Sequence, residues 1–490
     1  MRGRAGMYAT RILVVMASLV TLAWPQQPMS SLDRERAKEM LKVIGEDVKK
    51  HYYDPKLHGV NWDAAVEDGK QKIEKETSFN MALSQIAAML DKLNDSHTFF
   101  LPPQHVSRTD YGFQYQMIGD RCFVTRVRPK SDAETKGVKA GDEMLGLNGF
   151  LVSRDSLWKM QYVFSVLRPQ PGLRLELADP AGTKVKVDAM AKVRQGKKIT
   201  DLTASGGGGD IWDLVRESEN EDHLMRAGYL EVGDQLLVLK VPEFAFSQTE
   251  VESMIGKARK HQNLIVDLRG NPGGAVDTLK YLVGGTFDKE MKIADRVGRK
   301  DTKPEVAKTL HNPYTGKLVV LVDSKSASAA ELYARIVQLE KRGTVVGDRS
   351  AGAVMESKHY DEKLGTDTVV FYGASITEFD LKMADGNSLE HTGVTPDEIL
   401  LPSAQHMANG RDPVLAHAAD LLGVKLSPED AGKAFPYEWP SEQLGNFVGS
   451  RFVPNADKIG RVRKGRRQAF ARTSRNHDVV VVRVAKVHVA

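Results

Sequence analysis

The sequence predicts an α/β fold, and three observations carry that prediction. From Gly228 onward, short apolar runs alternate with helix-period runs. Two of the apolar runs break at once into turn-rich sequence, Arg269 to Gly274 (RGNPGG) and Asp323 to Ser328 (DSKSAS). The chain is long enough, at 490 residues with 41% hydrophobic, for two or three domains with cores of their own.

The elements follow in order. Residues 1–30 read as an export signal: Arg2, Arg4 and Arg11 precede a 13-residue apolar run from Ile12 to Trp24, too short for a comfortable membrane span. No small-x-small cleavage site is evident, so an uncleaved N-terminal anchor stays open as an alternative. Residues 31–109 form a predicted helical domain. Ser31 or Asp33 is the expected cap of a first helix with Met40, Leu41, Ile44, Val48 and Tyr52 on its apolar face. A second helix is expected from Trp62 toward Ile73, and a third from about Ser78. The third ends in the polar turn Asn94-Asp95-Ser96-His97-Thr98. His97 either complements a helix C-terminus there or has a partner elsewhere in the chain.

Residues 110–192 read as a small β-rich module, with a strand at Phe123 to Val127, a tight turn at Gly141-Asp142 and a second turn at Asn148-Gly149. Ala133 to Gly149 resembles the core of PDZ domains embedded in exported proteases. That resemblance places Gly112 and Phe113 at the peptide-binding loop, where a peptide adds as a strand. The competing reading is a spacer module without a ligand. Residues 193–227 are a linker or flap carrying the run Gly206 to Gly209. No nucleotide-loop, H-E-x-x-H or G-x-S-x-G pattern is present.

In the predicted core, 228–424, strands are expected at Tyr229 to Val232, Leu236 to Val241, Leu264 to Leu268, Val319 to Val322 and Val345 to Gly347. Helices are expected at Val251 to Lys260 and Val276 to Leu282, and after Ser328. Ser326 and Ser328 fall where that last helix begins. The first N–H groups of a helix point outward without partners, so a serine there can attack a carbonyl while a neighbouring N–H receives the oxyanion. The plainer reading is that both serines only cap the helix.

Four stretches in order, LIVDLRGNPGG (264–274), SASAAE (326–331), VVGDRSAGA (345–353) and EHTGVTPDEIL (390–400), resemble the tail-specific or C-terminal-processing serine peptidases and their tricorn-core relatives. The resemblance covers about 31–424. It implies a ClpP/crotonase-like α/β core with an N-terminal helical domain and an inserted PDZ-like domain. It makes Ser328 the nucleophile and Ala329 N–H, with Gly273 or Gly274, the oxyanion hole. The lysine base of the processing branch would stand at residue 353, which is Ala353, and Lys358 is five residues on. The tricorn-core branch uses a histidine and a glutamate instead, and His97 and Glu390 match them. His391 competes for the base without a family match. A neutral imidazole oriented by a carboxylate is sufficient to activate a serine.

These readings imply an exported serine endopeptidase acting on protein or peptide substrates, in a compartment such as the bacterial periplasm. It needs no metal and no organic cofactor. Peripheral or N-terminal membrane association is the one membrane role left open. Cys122 is the only cysteine, which excludes intramolecular disulfides and cysteine-rich metal sites; it reads as a buried small hydrophobe. The formal charge of +5 is uneven: residues 451–490 contribute +9 and residues 1–30 contribute +3, which leaves the body mildly acidic and disfavours a nucleic-acid role. The basic C-terminal tail, 425–490, matches nothing, although VVVVRVAKVHV has strand character. Three alternatives stand beside the protease: a non-catalytic peptide- or lipid-binding scaffold, a Ser–Lys protease with a displaced lysine, and a crotonase-like acyl-CoA enzyme.

Overall fold

A computed structural model describes residues 29–103, 107–195, 226–365, 369–439 and 481–483. Nearly all of the expected export segment, most of the 193–227 flap and most of the basic tail lie outside the described residues. Among the described residues, no helix is long and apolar enough to cross a membrane.

Three helices open the fold, Ser31–His51, Trp62–Lys75 and Phe79–Leu90. The first is capped by Ser30 rather than by Ser31 or Asp33; Ser30 Oγ accepts from Asp33 N–H at 3.1 Å. Asp33 lies in the first turn, where its charge complements the dipole. Met40, Leu41, Ile44, Val48 and Tyr52 are all buried, as their spacing predicts.

Residues 113–190 form a six-stranded antiparallel sheet with Phe113–Ile118 on one edge. Asn148 and Gly149 both take positive φ, 51° and 83°, the conformation a two-residue hairpin turn requires. Cys122 is buried in this module, and burial pushes its thiol up to about 12.

The second sheet has seven strands. Its spatial order is Glu398–Ile399, Thr344–Gly347, Lys317–Val322, Asn263–Asp267, Leu236–Lys240, Gly228–Val232 and Val481–Arg483. All its neighbours are parallel except the pair 228–232 and 236–240. Helices Gln248–Ala258, Val276–Thr286 and Ala329–Leu339 bury apolar faces in the core on one side. Helix Pro413–Leu421 packs in a separate cluster with Ile265, Val319 and Leu321. Alternate residues of each central strand therefore enter different cores, which explains their unbroken apolar runs.

The sequence reading missed a third sheet. Met291–Gly298, Thr302–Ala307, Met355–Leu364 and Val370–Lys382 join Phe99–Leu101 in a five-stranded antiparallel sheet. Phe99, Phe100 and Leu101 pair with Ser375, Ala374 and Gly373. That pairing carries the turn containing His97 from the helical end of the chain to the core.

Candidate active site

The two serines of SASAAE have different surroundings. Ser326 is fully buried; its Oγ donates to Leu268 O at 2.9 Å and accepts from Asp323 N–H at 2.9 Å. It closes the turn rather than capping the helix. Ser328 precedes helix Ala329–Leu339 with φ 54° and ψ −120°. A side-chain-bearing residue in such a region costs about 1–3 kcal/mol, so its surroundings must impose it. Ser328 N–H donates to Ala353 O at 2.8 Å and to Glu331 Oε2 at 3.0 Å. Ser328 O accepts from Glu331 N–H at 2.9 Å.

Glu331 is fully buried and also accepts from Ser350 Oγ at 2.6 Å, Gly352 N–H at 2.8 Å and Ala353 N–H at 3.0 Å. Burial pushes its carboxyl up to about 7, against the pull of these four hydrogen bonds. Sequence reasoning passed over this residue, because Ser328-x-x-Glu331 reads as an ordinary helix start.

The glycine turn lies against Ser328. A Cβ on Gly273 would stand 2.6 Å from Ser328 Cβ and 3.1 Å from Ala329 N, and Gly273 has φ 100°. Only glycine fits there. Gly273 N–H already donates to Asn271 Oδ1 at 2.8 Å. The N–H groups of Gly274 and Ala329 meet no acceptor among the described residues. Arg269 anchors the turn, bonding Asp267 and Asp412 at 2.8 Å each.

His97 follows a left-handed Asn94 at φ 49°. Asp95, itself buried, accepts from His97 N–H at 2.8 Å and Thr98 N–H at 3.0 Å, which fixes the turn. The carboxylate of Glu390 does not meet the imidazole directly. Ser96 stands between them: its Oγ lies 2.8 Å from His97 Nδ1 and donates to Glu390 Oε2 at 2.8 Å. Ser96 N–H reaches Glu390 Oε1 at 2.8 Å, and Val354 N–H reaches Oε2 at 2.9 Å. With its hydroxyl proton on Glu390, Ser96 Oγ accepts from Nδ1–H, and Nε2 is left as the unprotonated nitrogen. Half-buried His97 is held below its ordinary pKa by desolvation, while Glu390 and Asp95 pull the other way. Ser96 was not singled out from the sequence; its place beside the histidine was the one signal available.

No hydrogen bond joins His97 to Ser328 among the described residues. His391 turns to the Asn94 backbone carbonyl at 2.9 Å, with its Nε2 3.6 Å from Glu390. Lys358 is exposed on strand Met355–Leu364, its Nζ 5.4 Å from the Tyr360 ring centroid. Gly112 has φ 74°, and its N–H donates to Asp110 Oδ1 at 2.9 Å; Phe113 is buried at the start of the edge strand. A cavity of about 170 Å³ borders Glu390 and His391, and neither Ser328 nor His97 lines it. It is therefore not the site at which a scissile bond would lie.

Comparison with known proteins bears on this geometry. Residues 235–400 match the model of peptidase family S41, and residues 33–77 match the C1 domain of tricorn protease. That S41 match spans about a third of the chain. Ser328, Glu331, the glycine turn and Glu390 all fall inside the matched segment 235–400. His97 and Ser96 come from outside it. The chain is similar to the tail-specific protease of Haemophilus influenzae, 24% identical over 375 residues, covering 68% of this chain and 50% of that one. It is also similar to the carboxy-terminal processing protease CtpB of Bacillus subtilis, 23% identical over 361 residues, covering 71% of this chain and 66% of CtpB. The curated relatives are longer: the chain spans 31% to 66% of the length of the first three it matches. The crystal structure of mature CPAF aligns with a TM-score of 0.58 at 15% identity, covering 77% of this chain and 95% of CPAF. That likeness supports the mixed α/β fold.

Proposed function

We propose that the chain is a serine endopeptidase that hydrolyses peptide bonds in unstructured or C-terminal segments of proteins through an acyl-enzyme on Ser328. One observation carries the reading. Ser96 Oγ bridges Glu390 and His97 Nδ1, an arrangement suited to a neutral imidazole with Nε2 free to accept, and a single peptide bond separates the group that binds Glu390 from the group that binds Ser328. In the reaction, Ser328 Oγ attacks the carbonyl carbon and its proton passes to His97 Nε2. Gly274 and Ala329 N–H receive the oxyanion. His97 then protonates the leaving nitrogen as the C–N bond breaks. Water, losing its proton to His97, attacks the ester, and Ser328 regains a proton. Substrate brings Ser328 and His97 into hydrogen-bonding range, as is common when a resting site tightens in the Michaelis complex.

Within this reading, 228–424 is a ClpP/crotonase-like core, 31–109 a helical domain that delivers the base, and 110–192 a PDZ-like module that feeds peptide to the core. The 1–30 segment directs export, and no nucleic acid, metal or organic cofactor takes part. The absent Ser328–His97 bond keeps a second reading in play, a non-catalytic peptide-binding scaffold on the same fold. Fluorophosphonate labelling separates the two. Covalent adduct on Ser328, with cleavage of an unfolded protein, supports the peptidase. An unreactive Ser328 in folded protein sinks it and leaves the scaffold.

A further inference from the structure

Beyond the helix Pro428–Lys433, the chain crosses back toward the β module. Phe435 packs on the core, its ring against Gly228, where an added Cβ would sit 2.9 Å from it. Two residues on, Tyr437 meets Arg126, the guanidinium 4.7 Å from the ring centroid. Trp439 meets Arg128 in the same way at 4.9 Å. Tyr437 and Trp439 also touch each other edge-on, centroids 5.0 Å apart. The spacing is matched: aromatics two residues apart face Arg126, near the end of strand Arg121–Val127, and Arg128, just past it.

Two links tie this contact to functional surfaces. Arg128 pairs with Asp110 Oδ2 at 3.0 Å, and Asp110 Oδ1 holds Gly112 N–H at 2.9 Å. The loop expected to receive a peptide terminus thus has its N–H bound internally, through the arginine that Trp439 covers. Arg126 lies within electrostatic reach of Arg269, Asp323 and Asp412, which flank the glycine turn and the turn before Ser328. The crossing segment therefore lies where the β module approaches the turns around Ser328.

We propose that Phe435–Trp439 is an internal strap over this junction, and that Arg126 and Arg128 beneath it are a docking surface for extended peptides with aromatic side chains at alternate positions. The strap and such a peptide compete for the same two guanidinium faces. The inference rests on the peptidase reading only for its activity readout.

The test is a full-length Tyr437→Ala/Trp439→Ala variant, with Phe435 kept so that its core contact survives. Two cation–π contacts, taken at the weak end of their range, correspond to roughly five- to thirty-fold in affinity. The variant should bind a labelled synthetic peptide spanning residues 434–439 by that factor more tightly than the native chain. KM for an unfolded protein substrate should fall with kcat unchanged. A third chain with Arg126→Ala/Arg128→Ala added should lose the peptide binding. Equal peptide binding by native and strap-deficient chains, or binding that survives loss of both arginines, overturns the proposal. Absence of hydrolysis by every chain counts against the peptidase reading and leaves the binding comparison decisive for the strap. Circular dichroism confirms that each variant is folded.

Discussion

Ser328 and Glu390 are held by opposite ends of one peptide group, that between Ala353 and Val354. Its carbonyl accepts from Ser328 N–H, and its N–H donates to Glu390. The backbone of the proposed nucleophile and the carboxylate proposed to orient the base thus share a rigid planar unit. In the processing branch that the chain resembles, residue 353 would carry a lysine base. Here the same backbone serves a histidine relay.

Removing the nucleophile is the most direct consequence to measure. Ser328→Ala should lose about 10⁴-fold or more in kcat/KM while keeping the native circular dichroism spectrum. Ser328→Gly should be equally inactive yet more stable than the alanine variant by about 1 kcal/mol, because glycine relieves the positive φ. Denaturant titration of the pair reads this out, and a glycine variant no more stable than alanine refutes imposed strain.

Ser96 should behave as part of the relay. Ser96→Ala severs the link between His97 Nδ1 and Glu390, and kcat should drop roughly 10²-fold with little change in KM. Ser96→Thr retains a hydroxyl and should recover part of the loss. Native turnover in the alanine variant would show that Glu390 orients His97 by another route.

The acid limb of the activity profile should reflect His97. Its base form must be neutral, and its pKa is depressed by desolvation. Activity should therefore persist below the ordinary imidazole value near 6.5 and decline only at more acid pH. A kcat/KM profile with its midpoint above 6.5 would point to a different base.

Lysine-based chemistry is tested by Lys358→Ala, which should keep native kcat/KM, since Lys358 is an exposed residue beside Tyr360. Loss of activity in that variant alone would restore a Ser–Lys mechanism.

Glu331 supplies a stability signature. Its carboxyl in the folded chain sits at about 7, above its ordinary 4.5. A raised acid contributes stability that is full below the unfolded value and is lost as pH rises through the folded one. Relative to Glu331→Gln, the native chain should thus lose melting temperature between pH 5 and pH 8. A difference that stays flat over that interval would mean Glu331 is ionised throughout.

Much of this was legible in the sequence, and the reasons differ from element to element. Central strands such as Leu264 to Leu268 are buried on both faces, so their apolar runs stand out. The edge-rich third sheet does not announce itself: Met355–Leu364 reads MESKHYDEKL, half charged, and becomes a strand only because Val370–Lys382 pairs with it. At the site, Ser328, His97 and Glu390 could be singled out as a set because resemblance supplied roles. Ser96 could not, since its role depends on a carboxylate 294 residues further along the chain. Asp95 was within reach of local reasoning, as an acceptor for the amides two and three residues on. Glu331 was hidden by a pattern that usually signals nothing more than a helix cap.

The same long separation bears on how such a chain is made. His97 arises early in synthesis, and Glu390, which binds the adjacent Ser96, nearly three hundred residues later. Strand Phe99–Leu101 likewise finds its place only when Gly373 to Ser375 have emerged. On the proposed mechanism, a growing polypeptide therefore holds the parts of a cutting device without its alignment, and assembly waits on contacts of high sequence separation. Synthesis itself would then act as the safety catch: no fragment ending before Glu390 could present the proposed base, oriented, to its own unfolded remainder.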